Sequence, residues 1–242
     1  MKILVSWSTG KDSAWMLHRL REQAPGTAAA LLTTVSEAFD RVAMHGVRTS
    51  VLRAQANAAG LPLMTITIPS PCTNEVYDGR MAAAVQQALG DGFTHVAFGD
   101  LFLEDIRKYR EDRLRGSGLE PLFPLWGEPT GRLAREMIAG GLEARLTCVD
   151  PRVVDPALAG RRFDDTLLAD LPPTVDPCGE RGEFHTCALA GPMFSRRIHA
   201  EVGEVVERDG FVFADLAWSV SVRPQIRPAR AAGSIPSRRT RS

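Results

Sequence analysis

Two short stretches of this chain concentrate the side chains that could do chemistry. The first is Ser6-Trp7-Ser8-Thr9-Gly10-Lys11-Asp12-Ser13, with four hydroxyl residues, one glycine and one lysine in eight positions. Hydroxyls donate to phosphate oxygens, a glycine lets the backbone approach closely, and an ammonium adds a point charge. The second is Gly179-Glu180-Arg181-Gly182-Glu183-Phe184-His185-Thr186, about 170 positions further on. Two glycines bracket two carboxylates there, so Glu180 and Glu183 can point into one space, coordinate a cation, hold an ammonium ion or act as a general base. Each stretch also has a plain reading. The first could be a turn capped by Asp12 or Ser13, and the second a solvated loop.

The elements around these stretches favour chemistry at the first. An apolar run, Ile3 to Val5, enters the serine-rich turn, and a helical pattern through Trp15, Met16, Leu17 and Leu20 leaves it. A helix N-terminus after a strand offers free N–H groups and a positive dipole end to a phosphate. The common P-loop is excluded, because Val5 stands where it needs glycine and Asp12 follows the lysine where it needs Ser or Thr.

Further strands are predicted at Ala28–Val35, Leu63–Ile68, His95–Gly99 and Glu143–Val149, with helices over about 12–23, 48–59, 73–89, 104–113 and 130–140. Alternation of this kind predicts βαβ units, hence an open five-stranded parallel sheet with flanking helices, closing near Asp150. Thr33 and Thr34 end the second strand and Asp100 follows the fourth, at the rim where such sheets bind ligands. For the threonines, strand propensity alone is the plain alternative. The charged run Glu104–Arg113 reads mainly as a solvated face with i, i+4 pairs such as Glu104 with Lys108, and Arg107 and Arg110 are weaker candidates for an anionic substrate. Pro121–Trp126, with two prolines, cannot be regular helix and is expected to line a loop near the site or pack under the next helix.

Beyond Asp150 the pattern is mixed: a broken helical stretch, the acidic turn, and alternating runs about Asp209-Gly210, a hairpin signal. The expected division is therefore 1–150, a smaller mixed α+β appendix over 151–222, and a disordered basic tail over 223–242. That tail carries six arginines and no acid, which leaves 23 basic against 29 acidic side chains in the body and argues against nucleic-acid binding. Four cysteines without a CxxC pair read as reduced thiols, and no apolar run approaches a membrane span or a signal peptide, so a cytoplasmic location is expected.

The hexamer Ser8-Thr9-Gly10-Lys11-Asp12-Ser13 resembles the SGGxDS pyrophosphate loop (PP-loop) of the N-type ATP pyrophosphatases, with Thr9 in place of the first glycine. The departure is mild only if position 9 does not need positive φ. Together with Gly99-Asp100, Pro124-Leu125-Trp126, His45-Gly46-Val47, Gln55-Ala56 and the Gly-Glu-x-Gly-Glu-Phe-x-Thr segment, this order of motifs is similar to the diphthine-ammonia ligase family over nearly all of residues 1–217. The resemblance implies an adenine nucleotide alpha-hydrolase-like sheet and an AMP-forming carbon–nitrogen ligase, in which a carboxylate is adenylated and then attacked by ammonium. ATP and Mg2+ are the implied cofactors, and diphthine on translation elongation factor 2 is the family's substrate. The Ala- and Arg-rich composition also suits a GC-rich bacterium, where another carboxylate would serve.

By resemblance, Ser8, Thr9, Gly10, Lys11 and Ser13 bind the phosphates; Ser6 adds a hydroxyl to the same turn, and Thr33 and Thr34, from their place at the strand end, are candidates for the adenine or ribose. Lys11, Asp12, Glu180 and Glu183 are the catalytic candidates. Asp12 and Asp100 are candidate Mg2+ contacts, and His45, Asp100 and Arg107 weaker substrate contacts. For His45 a packed or capping histidine is an equal reading. A homodimer is left open. The competing classes are a PP-loop enzyme that modifies tRNA, for which CxxC and a basic body are lacking, a nucleotide-sensing module without turnover, and NAD or GMP synthetase-like chemistry.

Overall fold

Short β-branched runs alternate with amphipathic helices in the first 140 residues, and antiparallel strands follow. The computed structural model describes residues 1–219 with the exception of Met44, so the predicted basic tail at 223–242 lies outside the described residues. Ile3–Ser6 (β1) runs through the serine-rich turn into Lys11–Gln23 (α1), which buries Trp15, Met16, Leu17 and Leu20. Ala28–Ser36 (β2), Arg41–Val42 (β3), Thr49–Ala59 (α2), Leu63–Ile68 (β4), Asn74–Gly90 (α3) and His95–Ala97 (β5) follow. Then come Glu104–Leu114 (α4), Glu120–Leu122 (β6) and Thr130–Ala139 (α5). The remainder is Glu143–Val149 (β7), a 3-10 turn at Pro156–Leu158, Asp165–Asp170 (α6), Phe184–Ala190 (β8), Ala200–Arg208 (β9) and Phe211–Trp218 (β10).

Five strands form the parallel sheet. β1 lies between β2 and β5, β4 pairs outside β2, and β6 pairs outside β5. The two-residue β3 adds antiparallel at the far end of β2. The chain thus fills one side of β1 first and then crosses to the other, so the connections part at β1 and β5. Their carboxyl ends open the crevice in which sheets of this kind hold ligands. Gly99 keeps that crevice narrow: a Cβ there would stand 3.2 Å from the backbone of Asp12 and Ser13.

One strand assignment is corrected. Glu143–Val149 does not close the parallel sheet. It pairs antiparallel with β8 and β10 in a second, four-stranded sheet ordered β8-β7-β10-β9, so the boundary between the sheets falls ahead of Glu143 rather than near Asp150. The fifth parallel strand is instead β6, which overlaps the start of the Pro121–Trp126 segment expected to be a loop. Pro121 is tolerated there because β6 is an edge strand. The predicted hairpin forms, with Arg208 opposite Phe211 across Asp209-Gly210, both at positive φ.

Strand alternation sends Ile3 and Val5 to one face of the parallel sheet and Leu4 to the other. The first face belongs to a core that continues through Leu133 and Met137 to Leu146, Phe184 and Leu216, and so reaches both sheets. The second face is thinner, because α3 contributes only Ala84 and Ala88 to the buried interior.

Candidate active site

The serine-rich turn holds itself together. Ser8 Oγ accepts from Gly10 N and donates to Ser13 Oγ, and Ser13 Oγ donates to Gly10 O. Gly10 stands at the N-cap of α1 and has no side chain to cap it, and the first helical residues, Lys11 to Ser13, line the cavity. Thr9 does need positive φ, at 73°, an unusual conformation for a β-branched residue that costs on the order of 1–3 kcal/mol. Its side chain is fully buried, and the hydroxyl has no partner among the described residues and is not among those lining the cavity.

What offsets that strain comes from elsewhere. Gln55 of α2, fully buried, accepts from Trp7 Nε1 at 2.9 Å and donates to Thr9 O at 3.0 Å and Ala188 O at 2.7 Å. Ala188 N also donates to Thr9 O, and Lys11 N donates to Thr186 Oγ1. β8 is thereby laid against the start of α1, and the two stretches singled out in the sequence converge. Neither Gln55 nor Thr186 was given a role by sequence reasoning. Their signal lay only in their place within motifs.

Lys11 is 2% exposed, and its Nζ donates to the Asp12 carboxylate at 2.8 Å and to Cys178 O. Burial opposes its charge, but Asp12 foremost, with Cys178 and Glu180, outweighs burial and holds the pKa above the ordinary lysine value. Burial raises the Asp12 carboxyl, and Lys11 offsets only part of that.

The two glutamates part company. Glu180 lines the cavity with Lys11 and Asp12, and its Oε1 accepts from Leu101 N at 2.7 Å. Burial, with Asp12 and Asp100 nearby, raises its pKa to about 7 against the opposing Leu101 hydrogen bond. Glu183 is folded back into its own turn, accepting from Asp176 N at 3.0 Å and Arg181 N at 2.9 Å, and is not among the lining residues. Asp176 completes that turn by accepting from Cys178 N and Thr130 Oγ1.

Two joined cavities flank the turn. The larger, about 540 Å³, takes in Ser6, Ser8, Lys11, Asp12, Ser13 and, on its other walls, Asp100, Glu180, His45 and His185. The other, about 240 Å³ and mostly apolar, lies under α3 at the ends of β1 and β2 and is lined by Thr33, Thr34 and Tyr77. Ser6, Ser8, His45, Phe98 and Arg110 border both. Thr33 Oγ1 is committed to Trp7 O. Asp100 is gripped by Arg110, Nε to Oδ2 at 2.6 Å, so of the two α4 arginines singled out in the sequence it is Arg110 that stands at the cavity. Arg107 stacks over Phe123 and Trp126, pairs with Glu111 and does not line the cavity. Lys108 pairs with Asp112 rather than with Glu104.

Among the described residues, no group of three or more His, Cys, Asp or Glu side chains is arranged to hold a metal alone. Asp12 and Asp100 do open on the same cavity as the serine-rich turn. One or two carboxylates completed by phosphate oxygens is how Mg2+ is commonly held, so the donor set fits that ion. No helix among the described residues is long and apolar enough to cross a membrane.

Sheet order, crevice and helix-start loop define an α/β protein of the PP-loop type with an added antiparallel sheet. The diphthamide synthase N-terminal domain matches residues 1–121, and the diphthamide synthase C-terminal domain matches residues 129–217. The chain belongs to this family. It is 32% identical over 240 residues to the human diphthine–ammonia ligase and 31% identical over 242 residues to the bovine one, in each case across 90% of both chains. The rat diphthine–ammonia ligase is 28% identical over 243 residues, with the same coverage.

Proposed function

We infer that this chain is an ATP-dependent carbon–nitrogen ligase that activates a carboxylate as its adenylate, releases pyrophosphate and joins the acyl group to ammonia. The observation that carries the reading is the convergence of the serine-rich turn and the Glu180 turn on one cavity, in a chain whose relatives are named for joining diphthine and ammonia. A carboxylate is a poor acyl acceptor, and adenylation supplies AMP as a leaving group.

In this reading the adenine occupies the apolar cavity by Thr33 and Thr34, and Ser6, Ser8, Gly10, Lys11 and Ser13 hold the phosphates at the N-terminus of α1. Lys11 Nζ, held by both Asp12 carboxylate oxygens and by Cys178 O, brings its charge to the phosphates. Mg2+ would be held by Asp12 with Asp100 and would neutralise charge on the departing pyrophosphate. Glu180 binds ammonium and takes its proton. Glu183 shapes the turn that presents Glu180. Diphthine is the acceptor that the relatives' names point to, carried on elongation factor 2 as the family resemblance implies, and a different carboxylate serves if the cell makes none. The ligase names of the relatives favour this reading over tRNA modification or ATP sensing without turnover.

Incubating the protein with Mg2+-ATP, ammonium and diphthine-bearing elongation factor 2 should yield AMP and pyrophosphate. Lys11→Ala should weaken nucleotide binding roughly 30- to 100-fold, the loss of one charge-assisted hydrogen bond. Formation of ADP and phosphate would overturn the assignment.

A further inference from the structure

His45, in the turn before α2, and His185, on β8, face each other with ring centroids 4.6 Å apart and an interplanar angle of 39°. Both line the larger cavity beside Ser8 and Lys11, and His45 also borders the apolar one. A Cβ on Gly10 would lie 3.2 Å from His45 Cε1, so the pair is seated directly against the phosphate turn. The charged groups on the surrounding walls are Lys11 and Asp12 of α1, Asp100 after β5, Arg110 of α4, Glu180 and Arg181 of the acidic turn, and Asp150 and Arg152 after β7. Burial is the main cause that keeps both imidazoles neutral, opposed at His45 by the hydrogen bond from Nδ1 to Thr186 O. His185 adds to burial for His45, lowered to about 3, and Lys11 for His185, lowered to about 4.

We propose that the His45–His185 pair is a proton-loaded anion contact: one proton enters it from solvent as the nucleotide binds, and the imidazolium formed holds the phosphate nearest the acyl group. This rests on the reading that ATP occupies the serine-rich turn. A neutral imidazole has one donor and an imidazolium two, and negative charge a few ångströms away favours the charged form. The pair takes up one proton rather than two, because two imidazolium rings in contact repel. No covalent bond forms or breaks, and the proton returns to solvent when the phosphates leave. Because the bound state holds the extra proton, affinity rises as pH falls, from the ordinary histidine range down to about pH 4, where the empty pair protonates too.

The test is calorimetric titration of the full chain with the Mg2+ complex of α,β-methylene-ATP between pH 5.5 and 8, in two buffers of different ionisation heat. The ligand's own protonation cancels in the comparison with His185→Gln. Wild type should take up close to one more proton than the variant near pH 6 and bind roughly tenfold more tightly there, with affinities within about twofold at pH 8. Nitrogen-15 spectra of the wild-type histidines provide a reading independent of the variant's folding, since one of the facing rings should change from the neutral to the charged pattern when ligand is added at pH 6. Binding with unchanged ring nitrogens and equal proton uptake would overturn the proposal while leaving the nucleotide reading intact. Failure of wild type to bind the nucleotide at any pH would overturn both.

Discussion

At the cavity wall, Glu180 stands where a carboxylate is costly, and its ionisation near neutrality is what a proton acceptor for ammonium needs. A carboxyl whose pKa rises on folding favours the folded chain where it is protonated. The contribution is present below about 4.5 and lost as pH rises through about 7. Glu180→Gln is neutral at every pH and still accepts from Leu101 N. It should therefore melt higher than wild type at pH 8, by about 1 kcal/mol once partial exposure is allowed for, and match it at pH 4. It should bind ATP and form no amide. Glu183→Gln should behave differently, since one of the two backbone donors now served by separate carboxylate oxygens loses its acceptor. About 1–3 kcal/mol of stability should go with it, seen as a lower melting temperature at neutral pH. A Glu183 variant with unaltered stability and no activity would return that side chain to the chemistry.

Among the elements, α2 bonds to both the phosphate turn and β8 through one buried side chain, Gln55. Gln55→Ala would leave Trp7 Nε1 and Ala188 O without this partner and free the strained Thr9 from one of its two restraints. The expected loss is about 2–4 kcal/mol, read as a fall in the urea midpoint, together with weaker nucleotide binding. The strand, turn and helix that open the chain, and the βαβ rhythm behind them, were legible because hydrophobic period is a local property. What escaped was partnership. The Glu143–Val149 run looks the same whether its neighbours lie parallel or antiparallel, and β6, three residues long with a central proline, has no period to read. Gln55 sits among alanines on an ordinary helix, and its burial depends on a strand some 130 positions later. Arg107 and Arg110 are equivalent in the sequence and are told apart only by the aromatic rings that claim the first and the Asp100 carboxylate that claims the second.

Over the whole molecule, one apolar core reaches from β1 and α1 through α5 to β7, β8 and β10, and ion pairs from Arg41 and Arg48 to Asp215 tie β3 and the start of α2 to the second sheet. The two sheets should therefore unfold together. Scanning calorimetry should show one transition with equal van't Hoff and calorimetric enthalpies, and two resolved transitions would contradict the shared core. The closure of the phosphate turn by Thr186 and Ala188 also has a consequence for biosynthesis. The turn is translated first, yet three-quarters of the polypeptide must emerge from the ribosome before its last supports exist. At about 5–20 residues per second that is a delay of roughly ten to forty seconds. During it the nascent chain carries the phosphate turn without the strand that closes it.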